Sequence, residues 1–212
     1  MGLYRETDVL VIGVTGGVGA GKSRILKILE EEYGAFLLSA DQVAAELEEP
    51  GQEGYRLLVE QFGTGILGKD KKLDRKAFAE MIFKDPEVLG KVNDIIHPLT
   101  WQALRERLDA FRAAVRENAP EGRHPVLAAV EAALFDENSR QICDTLWYID
   151  ASRENRIKRL MESRGYTLEK CRDIMKNQKQ REEYLALADV VIDNNGTMES
   201  VREQIAGGLI LL

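Results

Sequence analysis

Residues 16–23 read Gly-Gly-Val-Gly-Ala-Gly-Lys-Ser, which is the pattern G-x-x-x-x-G-K-S/T of a phosphate-binding loop. The apolar, β-branched run 9–15 before it predicts a buried strand, and the residues from Ser23 onward predict a helix with one apolar face. Strand, glycine-rich turn and helix are the context that this motif requires. The alternative is a glycine-rich turn beside an ordinary surface lysine, which the complete pattern with its flanks disfavours. The motif therefore indicates a nucleoside triphosphate as the ligand class.

The residue types in the loop explain how it binds phosphate. Its glycines are expected to allow a tight turn with positive φ, so that successive N–H groups point inward at the positive end of the following helix. Lys22 is expected to reach the β- and γ-phosphates, and the Ser23 hydroxyl to ligate Mg²⁺. The predicted nucleotide contacts are Gly17, Val18, Gly19, Ala20, Gly21, Lys22 and Ser23.

Composition narrows the class of protein further. A chain of 212 residues accommodates one α/β domain with insertions, or a core with two small appendages. Its net charge of −7 argues against nucleic-acid binding, whereas the positive charge that a triphosphate needs is local. The N-terminal residues lack the basic and apolar regions of a signal peptide, and no window approaches a membrane span. We expect a cytoplasmic protein with neither nucleic-acid nor membrane partners.

Cysteine and histidine usage gives no sign of a metal centre. Cys143 and Cys171 have no C-x-x-C spacing and are expected to be reduced thiols. His97 and His124 are too few and too far apart in the sequence to predict a metal site.

The segment after the first helix predicts a strand at 35–38 that delivers Asp41 at its carboxyl end. Ligands of open parallel sheets lie outside the carboxyl ends of the strands, so we expect Asp41 and the phosphate loop to face one crevice. Residues 41–101 predict short helices without a strand, one capped by Asp74 and another beginning at Pro86. We expect a break in the chain at His97–Pro98.

The remainder alternates between helices and strands. A long amphipathic helix is predicted from Pro98 to Asn118, and a charged helical segment from Ser152 to about Tyr184. Strands are predicted at 125–130, 146–149 and 190–192, and a final helix from Thr197 onward. This alternation indicates an α/β fold with a mostly parallel sheet.

Six segments between about residues 9 and 205 carry a more specific signal through their order. They are Val14 to Ser23, Ala40–Asp41, Glu49–Gly51, Leu73–Arg75, Ile96–Pro98 and Ala188 to Gly196. In this order they resemble the dephospho-CoA kinase family, whose members phosphorylate the ribose 3′-hydroxyl of dephospho-coenzyme A with ATP and Mg²⁺. The loop alone is not specific to that family, whereas the ordered set is.

The resemblance implies a P-loop kinase with a three-layer α/β sandwich and two helical additions. The nucleotide-binding core would comprise residues 8–40, 102–151 and 186–212. Residues 41–101 would form a helical substrate domain, and 152–185 a helical lid. A monomer or small homo-oligomer is expected.

The resemblance also implies catalytic roles for Lys22, Asp41, Arg159 and Arg164. Asp41 would align the 3′-hydroxyl and accept its proton, unless it serves only as the N-cap of the helix after it. The two arginines would bring positive charge to the transferring group from the lid. The alternative for them is a surface helix with i,i+4 ion pairs.

Contacts with the two substrates are implied by the same resemblance. Thr15, Arg75 and His97 would contact the acceptor, and Asn194 the adenine edge, with Asn195 beside it. The alternatives are a solvated arginine at 75, a buried and hydrogen-bonded histidine at 97, and an Asn-Asn-Gly turn at 194–196.

This sequence departs from the family pattern at three places. Ser39 replaces the first acid of Asp-Ala-Asp, and Arg159 and Arg164 are five residues apart where four is usual. After the third strand the chain has Ala132-Ala-Leu-Phe-Asp136, preceded by Glu131, where the family has Pro-Leu-Leu-Phe-Glu. Whether Glu131 or Asp136 assists the metal is therefore left open.

Three other functions share the phosphate loop. A kinase of another small acceptor, such as a nucleoside monophosphate, would differ mainly between Asp41 and His97. A GTPase or ATPase switch is disfavoured because the D-x-x-G at 193–196 lies too far from the loop and no N-K-x-D follows. The third is a nucleotide-binding module without catalysis.

Overall fold

A single five-stranded sheet organises the part of the chain that contains the phosphate loop. The computed structural model describes residues 9–118 and 126–210, so His124 and Pro125 lie outside the described residues. The strands are β1 (Val9–Thr15), β2 (Phe36–Ser39), β3 (Val126–Glu131), β4 (Thr145–Asp150) and β5 (Val190–Asp193). Their order is β2-β3-β1-β4-β5, and β1 pairs in parallel with both β3 and β4. All seven residues of β1 are buried, because the apolar run occupies the centre of the sheet.

Helices connect these strands, which confirms the α/β prediction. They are α1 (Lys22–Tyr33), α2 (Ala40–Leu47), α3 (Glu53–Phe62), α4 (Arg75–Lys84), α5 (Pro86–Asn118), α6 (Glu137–Arg140), α7 (Arg153–Arg164), α8 (Leu168–Lys176), α9 (Arg181–Leu187) and α10 (Met198–Ile210). A short 3-10 turn covers Thr64–Ile66. Within these described helices, none is both long and apolar enough to span a bilayer.

The charged helical segment predicted from Ser152 to about Tyr184 contains three helices. Gly165, with φ 62°, ends α7, and the Thr167 side chain accepts a hydrogen bond from the N–H of Lys170 at the start of α8. A capping box of Gln180 and Glu183 begins α9. Local capping therefore divides the segment, although its charge pattern is continuous.

The break predicted at His97–Pro98 is wrong, because α5 continues through Pro98. One face of this helix buries Val92, Ile96, Thr100, Leu104 and Leu108 at intervals of four residues. Burial of that face outweighs the one backbone hydrogen bond that proline removes. The Thr100 hydroxyl also donates to the carbonyl of Ile96 at 2.8 Å.

The structure confirms the predicted starts of two helices, α4 and α5. The Asp74 carboxylate accepts from the N–H groups of Lys76 and Ala77 at 3.2 and 3.0 Å, so that it caps α4. Helix α5 begins at Pro86, where the missing N–H costs nothing.

The described residues divide into two compact units, one of residues 9–37, 112–118 and 126–210, the other of residues 38–111. The core of the first unit lies on the sheet and includes Ile12, Leu29, Trp147 and Ile205. The core of the second includes Leu58, Ile66, Leu73, Phe78, Val92 and Ile96. Both cysteines are buried free thiols, and burial with the nearby Asp144 raises the pKa of Cys143 to about 12.

Two adjacent glycines in α10 are expected to respond oppositely to alanine. A Cβ on Gly208 would lie 3.0 Å from the ring of the fully buried Trp147, whereas nothing lies within 4 Å of a Cβ on Gly207. Gly207→Ala should raise the free energy of unfolding by up to about 1 kcal/mol through helix propensity. Gly208→Ala gains the same propensity, but an overpacking cost of about 2 kcal/mol against Trp147 should lower the free energy of unfolding by about 1 kcal/mol net. Urea unfolding of the two variants measures the difference, and equal shifts would contradict the packing argument.

Candidate active site

The phosphate loop follows the last residue of β1 and leads into α1. Gly19 and Gly21 have φ values of 77° and 99°, which other residues adopt only with strain. The expectation of positive φ is wrong for Gly17, which has an ordinary φ. A Cβ at Gly17 would instead lie 2.3 Å from the NH2 atom of Arg156. A side chain at 17 would therefore displace the Arg156 guanidinium, whereas glycine at 19 and 21 is needed for the backbone conformation.

Lys22 is held close to the loop and to a carboxylate. Its Nζ donates to the Gly16 carbonyl at 2.9 Å and lies 3.5 Å from Oε1 of Glu131, the last residue of β3. Their side chains are 15% and 18% exposed, so both charges lie in a partly desolvated environment. The lysine is thus placed at the loop before any nucleotide arrives.

The two acids left open by the sequence differ in their surroundings. Glu131 lies beside Lys22, whereas the Asp136 carboxylate accepts from the N–H and hydroxyl of Ser139 at 2.6 and 2.7 Å. Asp136 therefore stabilises the short turn of α6. Glu131 is the acid that is close to the phosphate loop.

Asn194 and Arg159 hold the loop from the outside. The Asn194 side chain and NH1 of Arg159 both donate to the Ala20 carbonyl, at 2.7 and 3.0 Å. Arg159 NH2 donates to the Asn194 carbonyl at 2.6 Å, and Asn194 is only 2% exposed. Burial, followed by the nearby Arg24, lowers the pKa of Arg159 from its ordinary value. These contacts fix the conformation of the loop around Ala20 and Gly21.

A second arginine reaches the loop from α7. Arg156 Nε donates to the Val18 carbonyl at 2.9 Å, and its NH2 donates to Oε1 of Gln178 at 2.6 Å. The same Gln178 oxygen accepts from the N–H of Val18 at 3.1 Å. Sequence reasoning missed both residues as functional, because nothing in the charge pattern distinguishes Arg156 from its neighbours.

A cavity of about 720 Å³ opens between the end of β4 and helices α7, α8 and α9. Six of its lining residues are basic: Arg153, Arg156, Arg172, Lys176, Lys179 and Arg181. Asp150 and Asp173 are the acidic ones, and Asp150 pairs with Arg181 at 2.7 Å. The cavity thus concentrates positive charge, which attracts anions, in a chain of net charge −7.

Three predicted residues lie in the unit of residues 38–111. Asp41 is exposed in the first turn of α2, and no residue of the described ranges forms a hydrogen bond or ion pair with it. Its alternative role as the N-cap is wrong, because Ser39 is at that position. His97 is exposed, so the alternative of a buried histidine is also wrong. The side chain of Arg75 is 62% exposed and lies 3.8 and 3.9 Å from Glu48 and Glu49.

Three further predicted residues differ in their accessibility. Thr15 is 2% exposed, and its hydroxyl donates to the Ala133 carbonyl at 3.2 Å, so the side chain is already engaged. Arg164 is exposed at the end of α7, with its guanidinium 5.9 Å from the Tyr166 ring centroid. Ser23 is exposed in the first turn of α1.

The residues at the loop suit Mg²⁺. A hydroxyl at 23 and a carboxylate at 131 are hard oxygen donors, and Mg²⁺ is ordinarily held by one or two such groups with substrate phosphates and water. Within 9–118 and 126–210, no group of three or more His, Cys, Asp or Glu side chains could hold a metal by itself.

The phosphate loop at the centre of a parallel sheet, with its lysine beside a carboxylate at a strand end, defines the class of P-loop nucleotide-binding proteins. A family model described as CoaE, dephospho-CoA kinase, matches residues 10–200. The chain belongs to this family, which confirms the resemblance found in the sequence.

Individual relatives agree with that assignment. A dephospho-CoA kinase of Streptomyces avermitilis is 36% identical over 198 residues, covering 93% of this chain and 91% of the relative. The crystal structure of TT1252 from Thermus thermophilus has a TM-score of 0.76 at 27% identity and covers 97% of this chain and 98% of that one. A dephospho-CoA kinase from Campylobacter jejuni has a TM-score of 0.63 at 23% identity, with 95% and 96% covered, and supports the fold.

Proposed function

We propose that this chain transfers the γ-phosphoryl group of ATP to the ribose 3′-hydroxyl of dephospho-CoA, giving coenzyme A and ADP. The observation that carries the proposal is the family match across residues 10–200. That match includes the whole of the helical unit 38–111, where a kinase of another acceptor would differ. The loop geometry supports the nucleotide half of the reaction, and the family supports the acceptor.

In this proposal the loop of residues 17–21 and Lys22 bind the phosphates, although the N–H groups of Val18 and Ala20 already donate to Gln178 and to the Gly17 carbonyl. Ser23 binds Mg²⁺, with Glu131 as the assisting acid. When bound, Mg²⁺ neutralises charge on the β- and γ-phosphate oxygens. Because the transition state of phosphoryl transfer is loose, the protein acts mainly by positioning and by electrostatic stabilisation. The preformed position of Lys22 supports this role.

Asp41 aligns the 3′-hydroxyl and accepts its proton in this proposal, and its exposed, unbonded carboxylate is available for that contact. Arg75 and His97 bind the dephospho-CoA moiety, for which their exposure is suitable. Asn194 contributes to the adenine pocket chiefly by holding Ala20. The Thr15 side chain is buried and bonded to the Ala133 carbonyl, so it acts on the acceptor indirectly, by holding the backbone at Ala133 in place.

The segment 152–185 acts as a lid in the same proposal, with Arg159 and Arg164 neutralising charge on the transferring group. Its helices carry the basic side chains that surround the cavity. Water exclusion by such a lid strengthens the electrostatic interactions inside. A cytoplasmic location remains part of the proposal.

The acceptor can be tested by direct comparison. Initial rates of transfer from γ-labelled ATP should be measured with dephospho-CoA, AMP, UMP and shikimate at equal concentrations. We expect labelled coenzyme A as the main product. Activity with a nucleotide acceptor alone would reject the proposal in favour of another small-molecule kinase, and guanine-specific binding without any transfer would favour a switch protein.

A further inference from the structure

A closed ring of hydrogen bonds joins α7, the turn between α8 and α9, and the phosphate loop. Gln178 Oε1 accepts from two donors, the Val18 N–H at 3.1 Å and Arg156 NH2 at 2.6 Å. Arg156 Nε completes the ring by donating to the Val18 carbonyl at 2.9 Å. Two bonds from different atoms of one planar guanidinium fix both its position and the orientation of its plane.

The ring places this guanidinium against the backbone of Gly17. The atoms NH2, Cζ and NH1 lie 2.3, 2.5 and 2.8 Å from the point that a Cβ of Gly17 would occupy. The cation therefore lies at the loop whose amides bind phosphate, and all these groups belong to one compact unit.

The ring leaves most donors of Arg156 unused. A guanidinium has five N–H groups, and the ring uses one on Nε and one on NH2. Throughout residues 9–118 and 126–210, no acceptor bonds to NH1 or to the second N–H of NH2. Arg159 also uses two of its five N–H groups, but both of its terminal nitrogens donate to backbone carbonyls, whereas only one terminal nitrogen of Arg156 is engaged by a described residue.

Arg156 is also half-buried and lines the basic cavity. A cation with unused donors in a partly desolvated site stabilises developing negative charge more strongly than one in bulk water. Burial lowers the pKa of Arg156 from its ordinary value, and an arginine side chain keeps its charge in proteins.

We propose that Arg156 is a catalytic residue whose free N–H groups bind the transferring phosphoryl group, and that Gln178 is the positioning residue that holds it there. The inference rests on the proposed phosphoryl transfer and adds two residues to it. Gln178 acts through Arg156, to which its Oε1 is hydrogen-bonded, without contact with the substrate.

The first test concerns Arg156 itself. Arg156→Ala should lower kcat on the order of a hundredfold, as loss of one transition-state donor does, with a much smaller change in KM for ATP. Arg156→Lys should recover only part of this loss, because an ammonium cannot form the two-point ring. Lys158→Ala removes an exposed basic side chain of the same helix, and it should retain kcat within about twofold. An unchanged kcat in Arg156→Ala would overturn the inference.

The second test asks whether Gln178 acts through Arg156. Gln178→Ala should lower kcat about tenfold, because it frees the guanidinium to move by an ångström or more. The same substitution in the Arg156→Ala background should have almost no further effect, since the group it positions is absent. Asn177→Ala is the matched control on the same turn. If the kcat losses of Gln178→Ala and Arg156→Ala multiply in the double variant, a positioning role is contradicted. A lower melting temperature of Gln178→Ala that accompanies its loss of kcat would also contradict that role.

The third test does not need the acceptor. Binding of ADP with Mg²⁺ should be compared with binding of ADP, Mg²⁺ and aluminium fluoride, which mimics the transferring group, by titration calorimetry. Arg156→Ala and Gln178→Ala should each lose about tenfold or more in affinity for the complex with aluminium fluoride, while binding ADP with Mg²⁺ within about twofold of the wild type. If this pattern holds while the wild type fails to phosphorylate dephospho-CoA, the acceptor is wrong and the role of Arg156 stands. Equal weakening of both complexes would overturn that role.

Discussion

Lys22→Met is expected to lower kcat/KM for phosphate transfer roughly a thousandfold, the largest effect of any single substitution considered for this protein. Lys22 Nζ lies 2.9 Å from the Gly16 carbonyl and 3.5 Å from Glu131, so the ammonium is positioned at the loop before the nucleotide binds. The substitution removes that cation, so the carboxylate of Glu131, 18% exposed, loses the nearby positive charge of Lys22. Without that compensating charge the acid repels the triphosphate, so nucleotide affinity should fall together with the rate.

A coupled assay of ADP formation with dephospho-CoA measures this effect. Lys27→Met is the matched control, because Lys27 lies on the same helix, is 63% exposed and pairs with Glu31 at 3.6 Å. An exposed i,i+4 pair contributes little, so the control should behave like the wild type. A rate for Lys22→Met above a tenth of the wild-type rate would contradict the proposed role.

Asp41→Asn is expected to lower kcat about a hundredfold or more, with KM for ATP nearly unchanged. The substitution keeps the size of the side chain and removes its ability to accept a proton. Because Ser39 is the N-cap of α2, the loss cannot be attributed to a lost capping hydrogen bond. The remaining structural contribution is the favourable interaction of an acid with the helix dipole, about 0.3–1 kcal/mol.

Glu87→Gln measures that dipole contribution separately. Glu87 is an exposed acid in the first turn of α5, in the same unit as Asp41. The two variants should lose similar small amounts of stability in urea, and only Asp41→Asn should lose activity. A wild-type rate in Asp41→Asn would leave Asp41 as an acid that merely stabilises the start of a helix.

The parts of the fold that the sequence predicted well are those specified by contiguous residues. The strand before the loop, the cap at Asp74 and the start of α5 at Pro86 each depend on neighbours within about four positions. Rules that depend only on neighbouring residues predict such a local conformation directly. The order of family landmarks then specified the family, which the match over residues 10–200 confirms.

The expectations that proved wrong concern residues whose environment is set elsewhere in the chain. Pro98 breaks helices by local rules, yet burial of the face that contains Ile96 and Leu104 keeps α5 continuous. Gly17 was expected to need a positive φ, whereas the space beside it is taken by a side chain from α7. Tertiary packing outweighed the local preference in the first case and imposed a different constraint in the second.

The sequence alone determined the phosphate loop, the ligand class and the α/β class of this protein, because those properties depend on adjacent residues and on the periodicity of apolar positions. Only the tertiary structure decided that Glu131 rather than Asp136 accompanies Lys22, and that Gln178 and Arg156 join the loop at Val18. The Val18–Gln178 bond spans 160 positions. No spacing rule predicts such a contact, because it forms only when the packing of the sheet and helices brings the two segments together.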